Sequence, residues 1–144
     1  MSDRSSWKTP WTPTARMDLD IDIPRDVRAP ALARTAVKAL KDHLDTDVLA
    51  DTVLLVSELV SNSVKYGAGI VGLRVRTRGT RQVIVEVLDE GDGFEKRFRR
   101  TSRFEAGGFG LRLVDRIASS WGVHDGAAHV WFEIDRSADL AAAA

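Results

Sequence analysis

The strongest constraint on how this chain can fold is the order in which its hydrophobic period changes. Met17, Leu19, Ile21 and Ile23 alternate with Arg16, Asp18, Asp20 and Asp22, the two-residue period of a strand with one buried face, and Pro24 closes it. From Pro30, a residue suited to a first helical turn, Ala33, Ala36, Val37, Leu40 and Leu44 form a helical stripe ending near Leu44. After a polar break at 45–47, Leu49, Val53, Val56, Val60 and Val64 define a second stripe that runs to Gly67 and Gly69. Strands over 70–78 and 83–89 follow, joined by a turn at Gly79 and Thr80. A third helical stripe comprises Leu111, Leu113, Val114, Ile117 and Ala118, and 121–124 with 129–134 read as a closing hairpin. The order βααββαββ predicts an α+β fold: a mixed, mainly antiparallel sheet with three helices on one face.

The flanks carry no such pattern. Residues 1–15 hold Pro10 and Pro13 without a period and read as a flexible tail, 16–136 as one domain, and the Ala-rich 137–144 as a frayed end. Lysine plus arginine equals aspartate plus glutamate at 21 each, so there is no global electrostatic signature of a nucleic-acid binder. Cysteine is absent, which removes disulfides, thiolate metal sites and thiol nucleophiles. No uncharged apolar run approaches the roughly 18 residues of a membrane span, and the first residues lack a signal peptide's apolar core. The expected location is the cytoplasm, with no nucleic-acid or membrane partner.

Three short stretches carry chemistry. Glu58 and Asn62, in ELVSN, stand four apart on the second helix, on a face expected to lie beside Asp51 and away from the apolar stripe. The amide oxygen is a hard neutral donor suited to Mg²⁺, and the carboxylate is suited to accept a hydroxyl proton. Asp89 ends a strand and is followed by Gly91 and Gly93 in DEGDG, a carboxylate acceptor beside backbone that a flat ring can approach, which suits adenine. Gly107, Gly108 and Gly110 precede the third helix, where exposed amides can hold phosphate. Between the glycine stretches, Lys96, Arg97, Arg99, Arg100 and Arg103 crowd a loop able to close over polyphosphate. Dinucleotide-fold and P-loop readings fail, because Leu113 occupies the last glycine position of GxGxxG and GxxxxGK[ST] does not occur. A calcium loop starting at Asp89 fails on Gly91 and Arg100. His43, His124 and His129 share no metal-ligand spacing and read as ordinary residues.

Together, ELVSNSVKYG on a helix, VEVLDEGDGF at a strand end and GGFGLRLVDRIASSWGV opening a helix resemble the N, G1 and G2 boxes of GHKL ATPases. The resemblance runs from about Met17 to Ile134, and ALARTAVKAL with VWFEI makes it most similar to the anti-sigma-factor serine/threonine kinases. It implies a two-layer Bergerat sandwich, ATP and Mg²⁺ as cofactors, and phosphorylation of a small antagonist protein by a kinase that also binds a sigma factor. It further implies that Asn62 ligates Mg²⁺, Asp89 binds the adenine amine, Gly91 and Gly93 line the base, and Gly108, Phe109, Gly110 and Leu111 approach the phosphates. Glu58 would be the general base, and Arg34 would face partner or phosphate. A homodimer is left open. Two positions depart from the family's pattern: Tyr66 replaces a common histidine, and Ala127-Ala128 replace a usual Gly-Thr pair, which bears on phosphotransfer more than on binding. The alternative is a nucleotide-binding regulatory module that sequesters a partner without phosphotransfer.

Overall fold

In a computed structural model, which describes residues 18–91, 111–124 and 128–138, the expected elements form in the expected order. They are β1 (Asp18–Ile23), α1 (Ala29–Lys38), α2 (Thr46–Tyr66), β2 (Val71–Arg78), β3 (Gln82–Leu88), α3 (Leu111–Ile117), β4 (Ser120–Val123) and β5 (His129–Asp135). The strands make one sheet in the order β1-β2-β3-β5-β4. Every pairing is antiparallel, so the sheet has no parallel pair among the described strands. The reason is the last hairpin: β5 turns back from β4 and inserts between it and β3, so β3 and β4, which run in the same direction, are not neighbours.

Alternation assigns the two faces. Val71, Leu73 and Val75 of β2, Val83, Val85 and Val87 of β3, and Val130, Phe132 and Ile134 of β5 share one core cluster with Ala33 and Val37 of α1, Leu55, Val56 and Val60 of α2 and Val114 of α3. The helices therefore cover one face. On the other face β1 and β2 match charge across the ladder, Asp18 opposite Arg76 and Asp20 opposite Arg74, with Asp20 Oδ1 3.4 Å from Arg74 Nε. A slip of one residue would send these charges into the core, so the alternation read in 17–23 also fixes the register of an edge strand. At the β2–β3 turn Gly79 has φ +65°, a conformation open to glycine at little cost.

Two helix readings are corrected. α1 ends at Lys38, six residues before Leu44, and the chain continues in turns tightened to i→i−3 bonds, Leu40 N–H to the Val37 carbonyl and His43 N–H to the Leu40 carbonyl. Leu40 and Leu44 are still buried, through that tightened segment. In α2 the deep stripe is Val48, Thr52, Leu55, Val56, Leu59, Val60, Asn62 and Ser63, while Leu49, Val53 and Val64 lie half-buried on its flank. The helix is pressed between α1 and the sheet, so apolar residues occupy more than one face and a single five-residue stripe mistakes its centre.

The start of α2 is held by charge. Arg81, in the β2–β3 turn, places Nη1 2.9 Å from Asp45 Oδ2 and 3.3 Å from Asp47 Oδ1. Arg136, just beyond β5, reaches Asp51 Oδ2 at 2.5 Å and Asp47 Oδ2 at 3.3 Å. The two arginines also exchange bonds: Arg81 Nε donates to the Arg136 carbonyl and the Arg136 amide to the Arg81 carbonyl, both at 2.9 Å. The Arg81 hydrogen bond holds the Asp47 carboxyl below the usual aspartate range. A depressed value means stability that is present at neutral pH and lost as pH falls through the folded-state value.

Phe132→Ala, which empties the largest fully buried position, is expected to cost about 3 to 5 kcal/mol, read from urea unfolding at unchanged slope. Asp47→Asn is expected to flatten the acid limb of stability below about pH 4, with little change at pH 7 in 1 M salt, where surface pairs are screened. Identical acid limbs in the variant and the parent would contradict the role given to the Arg81 pair.

Candidate functional site

The site is assembled where α2 ends and β3 ends. Glu58 and Asn62 lie one turn apart on α2, but not on a common solvated face: Asn62 is 6% exposed, and Glu58 is half-buried. The face they share, expected to lie away from the apolar stripe, is partly enclosed because α2 is covered on more than one side. Asp51, two turns before Glu58 on the same helix, is engaged by Arg136 in the clamp near the start of α2.

α2 terminates at Gly67, whose amide bonds the Ser63 carbonyl at 2.9 Å. A Cβ there would stand 2.4 Å from Asp89 Oδ2 and 2.7 Å from the Ser63 carbonyl oxygen, so the Asp89 carboxyl lies directly over the Gly67 backbone. The segments after α2 and β3 are joined by backbone, Glu90 N–H donating to the Ala68 carbonyl at 2.8 Å. Gly91 donates its amide to Asp89 Oδ1 at 2.7 Å, and a Cβ on it would fall 3.3 Å from the Gly67 Cα. The result is a carboxylate set among bare backbone, able to accept from an exocyclic amine while a flat ring lies against glycine. The arrangement fits adenine.

The sequence missed three supports. Asp89 is fixed from behind, its amide donating to the Ala128 carbonyl at 2.9 Å. That bond uses backbone alone, so it survives the replacement of the usual Gly-Thr pair; Ala128 is buried, and Ala127 lies outside the described residues. Arg25 donates through Nη1 to the Val64 carbonyl at 3.0 Å, a cation on the last turn of α2 where the carbonyl end of the helix favours it. Arg34 of α1 donates through Nη1 to Ser57 Oγ at 2.8 Å, which ties it to the residue before Glu58. None of these links has a local sequence signal, since the partners are 23 to 39 residues apart or pair through backbone. Leu111 opens α3 and packs half-buried against the core. Gly93, Gly108, Phe109, Gly110 and the basic loop 95–106 lie outside the described residues.

The family model of the histidine kinase-like ATPase domain matches residues 23–134. The chain belongs to that family. Its elements from Ile23 to Ile134 are therefore those of a GHKL ATPase domain. Among solved structures it is similar to the RsbU and RsbW domains of Rv1364c from Mycobacterium tuberculosis, with 21% identity and a TM-score of 0.59 over 85% of this chain. It spans 31% of that longer chain. No curated protein matches it. Among the described residues no helix is long and apolar enough to cross a membrane.

Gly67→Ala is expected to displace the Asp89 carboxyl and weaken adenine-nucleotide binding roughly 5- to 150-fold, the cost of one lost buried hydrogen bond, in a chain that stays folded. Calorimetric titration of ATP into the folded variant with parental affinity would remove Asp89 from the role given to it here.

Proposed function

We propose that this ATPase domain is an anti-sigma-factor-type serine/threonine kinase: it binds Mg-ATP, holds a sigma factor, and transfers the γ-phosphoryl group to a small antagonist protein. The observation that supports this most is the pairing of buried Asn62 with half-buried Glu58 one turn earlier, on a helix whose end supports the Asp89 cradle. Asp89 accepts the adenine amine, with Gly91 and Gly93 along the base. Gly108, Phe109, Gly110 and Leu111 approach the phosphates from the start of α3. Asn62 supplies an amide oxygen to Mg²⁺, an ion that prefers oxygen and shares its sphere with substrate phosphates. Glu58 takes the proton of the approaching serine or threonine hydroxyl as its oxygen attacks phosphorus and ADP leaves. Arg34, tethered to Ser57, stands on the α1 side of that helix and is the candidate contact to partner or phosphate. Sigma factor and antagonist come from the likeness of the three boxes to the anti-sigma kinases. The cytoplasm is the compartment in which both would be met.

A second reading, a nucleotide-ordered module that sequesters its partner without phosphotransfer, is favoured by one feature, the Ala127-Ala128 pair lacking the usual hydroxyl. The two readings separate on Glu58→Gln. The variant is expected to bind ATP within a few-fold of the parent and still capture its partner, yet to transfer phosphate at least about a hundredfold more slowly. Radiolabelled ATP incubated with candidate antagonists provides the assay. A parent that binds ATP and labels no antagonist favours the module.

Nucleotide selectivity is checked separately. Guanine presents a carbonyl oxygen where adenine presents its amine, so GTP is expected to bind about 5- to 150-fold more weakly than ATP. Asn62→Ala is expected to lower affinity for Mg-ATP and leave metal-free ATP unaffected. Equal loss with and without Mg²⁺, by titration in EDTA, would count against the metal role.

A further inference from the structure

The sheet face turned away from the helices should be the simple one, yet its centre is occupied by a glutamate. Glu86 of β3 is 0% exposed, with Arg74 of β2 opposite it on one side and Trp131 of β5 on the other. Arg74 Nη1 lies 3.6 Å from Glu86 Oε1, and His129 Nε2 contacts the second oxygen, Oε2. His129 itself is 3% exposed. Its ring stacks on that of half-exposed His124, with centroids 4.3 Å apart and planes inclined by 19°. His124 N–H bonds the His129 carbonyl at 3.0 Å, so the two histidines flank the β4–β5 connection as a cross-strand pair.

One donor atom from each of Glu86, His124 and His129 lies within 4.8 Å of the others. We infer that these three side chains form a binding site for a borderline divalent transition ion, Zn²⁺ being the member of that class to which the donor set is best suited. The argument is chemical. Two imidazoles and one carboxylate match the three-ligand sets that leave a further position to water, whereas Mg²⁺ and Ca²⁺ call for oxygen throughout. Donors about 2.1 Å from a tetrahedral ion stand roughly 3.4 Å apart, a contraction within reach of side-chain rotation at His124, the one partly exposed member. Arg74 occupies the Oε1 side of Glu86, which leaves Oε2 directed to the histidines and orients the carboxylate as an outer partner does in metal sites.

The spacing of 124 and 129 conceals the site in sequence, because the third ligand arrives from β3 across the ladder. An ion there would fasten β4 and β5 to β3 next to Ala128, the residue whose carbonyl holds Asp89. It is distinct from any Mg²⁺ held with nucleotide, since Asn62 is on α2 and this cluster is on the opposite face of the sheet. The inference does not depend on the kinase reading.

The test uses the full chain without a histidine tag, titrated with Zn²⁺ and with Co²⁺ in the absence of nucleotide. One Zn²⁺ per chain is expected, not displaced by millimolar Mg²⁺, together with the visible absorption of low-coordinate Co²⁺ and a raised melting temperature. Long-range ¹⁵N–¹H spectra should show two of the three histidine rings shifting on Zn²⁺ addition. His124→Ala removes the partly exposed ligand and is expected to weaken binding by more than the roughly ten- to hundredfold that follows loss of an outer-sphere partner. His43→Ala, on an exposed turn after α1, should bind as the parent does. No Zn²⁺ binding in the parent overturns the inference, as does binding that His124→Ala leaves intact or that His43→Ala abolishes. The ring spectra decide the matter even where a variant fails to fold.

Discussion

β3 is covered on both faces, and that obliges the rest of the chain to take up its positions. Val83, Val85 and Val87 face α2 and the core, while Ile84 and Glu86, on the reverse side, are buried as well. A strand enclosed in this way has its two neighbours fixed by hydrogen bonding and its two faces fixed by packing, so its end cannot drift. Asp89 is the first residue past that end. The base-reading role proposed for its carboxylate needs placement to within a fraction of an ångström, and an enclosed strand is a rigid support for it. The helices serve the same end, since α2 crosses β3 and delivers Gly67 beneath the carboxyl.

The parts of the fold that were legible in the sequence are those written in local periods. The alternation in β1, the stripe of α1, the stop at Gly67 and the turn at Gly79 depend on neighbours a few residues away. Phase within α2 was not legible, because a helix packed on two sides has no single apolar stripe and Asn62 looks like surface until the second side is known. Long-range charge was not legible either. Nothing near Arg81 in sequence announces Asp45, and nothing near Arg136 announces Asp51, yet these pairs hold the start of the helix that carries Glu58 and Asn62. Glu86 is the sharpest instance: within VEVL it reads as the polar half of an alternating strand, and its burial comes from Arg74, Trp131 and His129 on two other strands.

The site residues divide in the same way. Glu58, Asn62, Asp89 and Gly91 could be picked out as candidates because a polar or glycine residue interrupts a regular apolar period at each. Their supports, Arg25, Arg34 and the Ala128 carbonyl, were hidden because they act through backbone or through partners far along the chain. The departure at 127–128 shows the difference: a residue-by-residue comparison registers the lost hydroxyl, whereas the structure shows that the carbonyl of Ala128 still carries Asp89.

The two faces of the sheet are consequently joined through one peptide. On the helix side Asp89 takes its amide bond from Ala128, and on the other side His129, the next residue, meets Glu86 and His124. A displacement of that peptide would therefore act on the Asp89 amide bond and on the contact between His129 and Glu86 together. For coupling of this kind to matter energetically, the shared element must have two arrangements that each site prefers differently. The middle of β3 does not offer that, since Val83, Ile84, Val85, Glu86 and Val87 are all buried. Among the described residues, the Ala128–His129 peptide bears on both: its carbonyl accepts the Asp89 amide, and the His129 ring that follows it meets Glu86.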